Sequence, residues 1–166
     1  TATLVRLLVE EGNFDEAEER LSAARGKLSA EDTADLTRRV ALGWARSGKL
    51  DRADRMVAGD SSVNGLALRG ELKLLHGEVG AARDLLQQAG PYAGSREDAT
   101  ERTTLLALLQ PLEADTVPEI GVGFLALARA RYHSGNSADV PAAVRAAVAA
   151  LVHFHPLDVR LVEHGD

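Results

Sequence analysis

Apolar residues along the chain recur at the spacing of helix faces, not at the alternation of strands. The pattern predicts helices over about 3–11, 14–25, 31–47, 50–58, 62–76, 79–89 and 96–110. Ser29 with Asp32, and Ser95 with Asp98, resemble capping boxes that satisfy free N–H groups at a helix start. Pro111 is expected to end the seventh helix. Thr116-Val117-Pro118-Glu119 carries Pro in a first turn and predicts a further helix to about Tyr132. An Ala-rich stretch at 139–152 follows, Pro156 breaks the chain, and Leu157 with Leu161 predict a short closing helix within 156–164. The loops at 90–94 and 111–116 are too short for interdomain linkers, so residues 1–166 read as one domain.

The helices meet at a recurring joint. Glycines at positions 12, 48, 77 and 135 each close one helical pattern, and the next begins within two or three residues. Glycine takes the left-handed conformation that such a stop requires without a steric penalty. Two residues later stands an apolar anchor, Phe14, Leu50 or Val79, and five later an alanine, Ala17, Ala53 or Ala82. The fourth copy departs at both places, with Ser137 and Val140. The intervals are 36, 29 and 58 residues, the last being twice the second, as if one turn had lost its glycine.

Other positions keep the same register. Seven residues before each glycine stand Val5, Ala41, Gly70 and Ala128, and nine after it Leu21, Val57, Leu86 and Val144. Eight before it, Leu4, Val40 and Leu127 are large and apolar, while Arg69 is not. Taken together, the chain resembles the tetratricopeptide repeat family, whose helix pairs recur at periods near 34 residues. The likeness is clear over 1–90, blurred over 91–119, and looser in a last pair at about 118–152. It is imperfect: the aromatic expected four residues before each glycine survives only as Trp44, with Leu8, Lys73 and Arg131 elsewhere, and the first two pairs lack the inter-repeat proline. The resemblance implies an all-α fold, a right-handed superhelix of antiparallel helix pairs with about 8–9 helices. An irregular helical bundle is the competing architecture.

Composition narrows the function. Hydrophobic residues are 45% and charged residues 27% of the chain, as in folded globular proteins. Aromatics are only 4%, which suits close helix contacts through small side chains and not a β-sandwich. A net charge of −6 argues against a general nucleic-acid binder. There is no cysteine, so thiolate chemistry and Cys-ligated zinc are excluded. No apolar run approaches the roughly 20 residues of a membrane span, and no membrane insertion is expected. Lacking a visible signal peptide, the chain reads as cytoplasmic, with the periplasm left open; lacking an initiator Met, it reads as a piece of something longer.

Enzyme motifs are scarce: the sequence has no Gly-rich phosphate loop, no His-Glu-x-x-His and no Gly-x-Ser-x-Gly. No enzyme and no cofactor is expected. His153 and His155, with Asp158 and His164 nearby, form the one metal-like cluster, against which stands an ordinary chain end. His76 and His133 sit in last helical turns, where imidazolium opposes the dipole end. The acidic run Glu16, Glu18 and Glu19 beside Arg20, and Asp51 beside Arg52 and Arg55, read as solvated outer faces.

The resemblance directs attention to the first helix of each pair, which in that family lines a concave groove. The positions three, six, ten and thirteen residues before each glycine are Ala2, Arg6 and Val9; Asp35, Arg38, Leu42 and Ala45; Asn64, Ala67, Glu71 and Leu74; and Val122, Leu125, Arg129 and Tyr132. Arg6, Arg38, Asn64, Glu71, Arg129 and Tyr132 are the candidate binding residues. Arginine forks pair with carboxylates, so a protein or peptide partner with an acidic or C-terminal segment is the expected ligand. A conventional carboxylate clamp is not expected, since Ala2, Arg38 and Leu42 occupy its places. Charge reversal at Arg38 or Arg129 is expected to weaken binding while leaving melting unchanged. The alternatives are a ligand-sensing region of a larger signalling or transcription protein, and self-association into a homodimer through a terminal repeat.

Overall fold

Three left-handed glycines set the path of the chain. The computed structural model describes residues 1–90, 96–110, 116–118 and 120–125. Within them lie α1 (Ala2–Glu10), α2 (Phe14–Ala24), α3 (Ala30–Arg46), α4 (Leu50–Val57), α5 (Val63–His76), α6 (Val79–Ala89) and α7 (Arg96–Leu109). Helical residues resume at Pro118 and continue through 120–125. The described residues contain no strand. No helix among them is long and apolar enough to cross a membrane. The predicted Gly135 turn, the helix over 139–152, the closing helix at 156–164, the Ser95 cap and the His153/His155 cluster lie outside the described residues.

Gly12, Gly48 and Gly77 have φ of 80°, 85° and 80°. Each turn is closed by the same two backbone hydrogen bonds. Gly12 N–H donates to Val9 O and Asn13 N–H to Leu8 O; Gly48 and Lys49 repeat this on Ala45 and Trp44, and Gly77 and Glu78 on Leu74 and Lys73. Those bonds satisfy carbonyls that a helix end leaves orphaned. The residue after each glycine also repeats, with φ/ψ of −85°/61°, −93°/57° and −80°/75°. Each turn therefore folds the chain straight back, and α1/α2, α3/α4 and α5/α6 pack as hairpins.

The small positions explain the packing. Val5, Ala17, Ala41, Ala53 and Ala82 are all fully buried. A Cβ on Gly70 would stand 2.8 Å from Leu86 Cγ and 3.3 Å from Ala82 O, so α5 and α6 approach as closely as backbone permits. Large side chains fill the rest. Leu21, Leu36, Leu72 and Leu86 are wholly enclosed, each contributing about 1.5–3 kcal/mol of burial. One apolar cluster runs from Val5 and Leu8 to Leu68 and Leu72, uniting α1 to α5. A second joins Leu74, Val79, Ala82 and Leu86 to Leu109, Val117 and Ile120. Helix α5 belongs to both, so it couples the two halves.

Successive hairpins also share a polar link. Trp44, four residues before its glycine, donates its indole N–H to Glu18 Oε2 at 3.0 Å. Lys73 holds the same place before Gly77, and its Nζ lies 3.6 Å from Asp54 Oδ2. Glu18 and Asp54 each stand six residues after their own glycine, so one register position reaches back to the preceding second helix in both copies. A tryptophan and a lysine do equivalent jobs there. The guanidinium of Arg52 stacks 3.9 Å above the Trp44 ring and donates to Glu18 and Asp15. The expected pairing of Arg52 with Asp51 gives way to this bond between hairpins, and Glu18 is half-buried, not solvated. Arg20 does pair with Glu16 on the outer face, at 3.1 Å.

The Ser29 cap forms: its hydroxyl accepts from Asp32 N–H at 3.0 Å. A second cap escaped the sequence reading. Ser62 Oγ accepts from Gly65 N–H at 3.1 Å and starts α5. Beyond α7 the chain returns to the third turn, where Val117 N–H donates to Gly77 O at 2.6 Å.

Candidate functional site: a cavity shared by three helices

Helix α1 touches α3, and α3 touches α5, so the first members of successive hairpins lie side by side. Where α3, α5 and α7 converge they line a half-open cavity of about 330 Å³. Helix α3 contributes Asp35, Arg38, Arg39 and Leu42; α5 contributes Asn64, Ala67, Leu68 and Glu71; α7 contributes Arg102 and Leu105. Of the candidate residues, Arg38, Asn64 and Glu71 come together here. Arg6 does not line the cavity but reaches its edge, 3.8 Å from Asp35 Oδ2. Arg129 and Tyr132 lie outside the described residues.

The helical period produces this convergence. Asp35, Arg38 and Leu42 are spaced three and four apart and share one stripe of α3; Asn64, Ala67 and Glu71 do the same on α5. The final position of each stripe leaves the cavity, because Ala45 is fully buried and Leu74 turns into the second apolar cluster. The floor is apolar, built from Leu42, Ala67, Leu68 and Leu105.

The charges on the walls are engaged within the protein. Arg38 Nη1 donates to Asp60 Oδ2 at 2.8 Å, and Ser62 Oγ lies 3.4 Å away. Asp60 in turn accepts from the Ser62 hydroxyl at 2.6 Å and the Ser62 backbone N–H at 3.0 Å. Burial alone would raise the Asp60 pKa, but the hydrogen bonds from Ser62 and Arg38, with the arginine charge, bring it below the ordinary carboxylate value. Arg38 thus ties α3 to the cap of α5, and its charge is already matched. Arg39 Nε donates to Asp35 at 2.8 Å. Arg102, only 7% exposed, donates to the Gly90 carbonyl at 3.1 Å. Glu71 also interacts within the protein. Asn64 differs: it is exposed, and its carboxamide has no hydrogen-bond partner among the described residues.

Sequence reasoning missed the α7 wall. Arg102 and Leu105 could not be placed by counting from a glycine, since α7 ends at Leu109 and the turn residue after it is Gln110. It also missed Asp60, whose importance lies in a partner 22 residues away.

A second ionic cluster stands apart from the cavity. Asp54 approaches His76 Nε2 at 3.1 Å and Lys73, which also reaches Glu78 at 3.2 Å. The His76 Nε2 atom is buried and close to the carboxylate, yet the ring is not aligned for a hydrogen bond. Burial would lower the Lys73 pKa, but Glu78 and Asp54 outweigh it and raise the value. The cluster joins α4 to the end of α5. Among the described residues no three His, Asp or Glu side chains converge in the manner of a metal site.

Comparison of the chain with known protein families, with curated proteins and with solved structures finds no match.

Proposed function

We propose that this chain is a non-catalytic interaction module of tetratricopeptide-like stacked hairpins, holding a segment of a partner protein in the groove along its first helices. The observation that carries this reading is the cavity spanning α3, α5 and α7, with side chains from all three helices on its walls. The cavity combines the apolar side chains of Leu42, Ala67, Leu68 and Leu105 with six polar or charged ones, and concave sites are where proteins hold ligands. Stacked repeats bury their seam against each other and leave one face of the first helices for a partner. The cavity's carboxylates are engaged within the protein, Asp35 by Arg39 and Glu71 by an interaction of its own.

A displayed peptide library panned on the folded protein tests the reading. Clones should be retained by the parent protein and by Arg20→Ala, on the outer face of α2, and lost by Asn64→Trp, which fills the cavity mouth. Asn64 is exposed, so the bulky residue leaves the core intact. Clones that bind Asn64→Trp as well as the parent would place the partner elsewhere.

A further inference from the structure

We infer that the cavity between α3, α5 and α7 receives one large uncharged apolar side chain of the partner segment, while Asn64 clasps the backbone amide beside it. The inference rests on the groove reading above and specifies the chemistry of its ligand.

The count of arginines in the groove favours an acidic partner, but their geometry does not. Arg38 is held by Asp60, Arg39 by Asp35, and Arg102 by the Gly90 carbonyl. An incoming carboxylate would meet guanidiniums of Arg38 and Arg39 whose charge is already matched by Asp60 and Asp35, and it gains less from them than from unpaired ones. Displacing Asp60 would strip Arg38 of its counter-charge at a place where both side chains are largely buried, 16% and 19% exposed. Removing one member of such a pair is costly, because the other charge stays desolvated. An acidic segment therefore gains less here than the number of arginines suggests.

What the cavity offers instead is its floor and one amide. Leu42, Ala67, Leu68 and Leu105 present apolar surface from three helices. Asn64 stands at the rim with two N–H donors and a carbonyl acceptor that no described residue engages. A carboxamide of this kind matches a peptide unit, accepting from its N–H and donating to its C=O. At about 330 Å³ the cavity is at the small end of ligand sites, which run from about 300 to 1,000 Å³. That is room for one side chain and not for a long segment. A lysine or arginine inserted there would find Asp35 already paired with Arg39 and Glu71 engaged within the protein.

The test uses four pools of fluorescent hexapeptides with acetylated and amidated ends, random except for one central position fixed as Leu, Phe, Glu or Lys. Fluorescence polarisation against the full chain should show the Leu and Phe pools binding at least about tenfold more tightly than the Glu and Lys pools. Asn64→Ala should weaken the Leu pool by about tenfold, the size expected for two lost hydrogen bonds. Circular dichroism of that variant should match the parent. A preference for the Glu pool overturns the inference and leaves the groove reading standing. So does an Asn64→Ala variant that binds the Leu pool like the parent while Asn64→Trp does not. Binding of every pool undiminished in Asn64→Trp overturns both.

Discussion

Arg38 shows how a residue chosen for its charge acquires a different duty from its neighbours. Its guanidinium holds Asp60, and Asp60 holds the serine that caps α5. Charge reversal at Arg38 therefore disturbs the start of α5, and unchanged melting is no longer the expected outcome. The linkage has a direction in pH. The Asp60 pKa is lowered in the folded protein, so its contribution to stability is fully present above the unfolded carboxylate value of about 3.9. It is lost as pH falls through the depressed folded value. Asp60→Asn, which keeps the side-chain shape, should make melting temperature fall less steeply between pH 5 and pH 3, values chosen to bracket the ~3.9 reference. Thermal melts followed by circular dichroism read the slope. Identical slopes in parent and variant would show that the Arg38–Asp60–Ser62 chain does not stabilise the fold.

At the scale of the element, the hairpin turn is the unit that repeats. Gly48 sits at φ 85°, where a side chain is strained whatever space surrounds it, whereas Gly59 has open space and no such backbone demand. Gly48→Ala should cost about 1–2 kcal/mol in urea unfolding. Gly59→Ala should be neutral or stabilise by up to about 1 kcal/mol through the unfolded chain. Equal effects would mean that the turns do not direct the hairpins. These elements were legible because their causes are local: a glycine that must be left-handed, an anchor two residues on, an alanine five on. Helix boundaries over 1–90 accordingly fell within a residue or so of expectation. The links between hairpins were not legible. Trp44 and Lys73 do the same work with unlike chemistry, and Glu18 and Asp54, their partners, resemble any acidic residue on an outer face. Helix α7 was expected, but its contribution was hidden. It ends without glycine, and the hydroxyls of Thr100, Thr103 and Thr104 bond back to carbonyls of their own helix and give no facing pattern.

Across the whole molecule, α5 is the member on which the others depend. Leu68 and Leu72 belong to the apolar cluster of the first two hairpins, and Leu74 to the one that reaches Leu109, Val117 and Ile120. The same helix supplies the middle wall of the cavity. Six of the ten residues that line the cavity were therefore readable from the repeat. Asn64, Ala67 and Glu71 follow from counting back from Gly77, whereas Arg102 and Leu105 enter only because the chain brings α7 alongside α6. The ligand preference was least readable of all, since a sequence displays arginines without their counter-charges. The most direct measurement is a titration of ¹⁵N-labelled protein with the Leu-fixed hexapeptide pool, followed by amide chemical shifts. Changes should concentrate at Leu42, Asn64, Ala67 and Leu105, with Arg20 and Arg55 on the second helices unmoved. Shifts concentrated on α2 and α4 instead, with Asn64 and Ala67 silent, would contradict the groove reading.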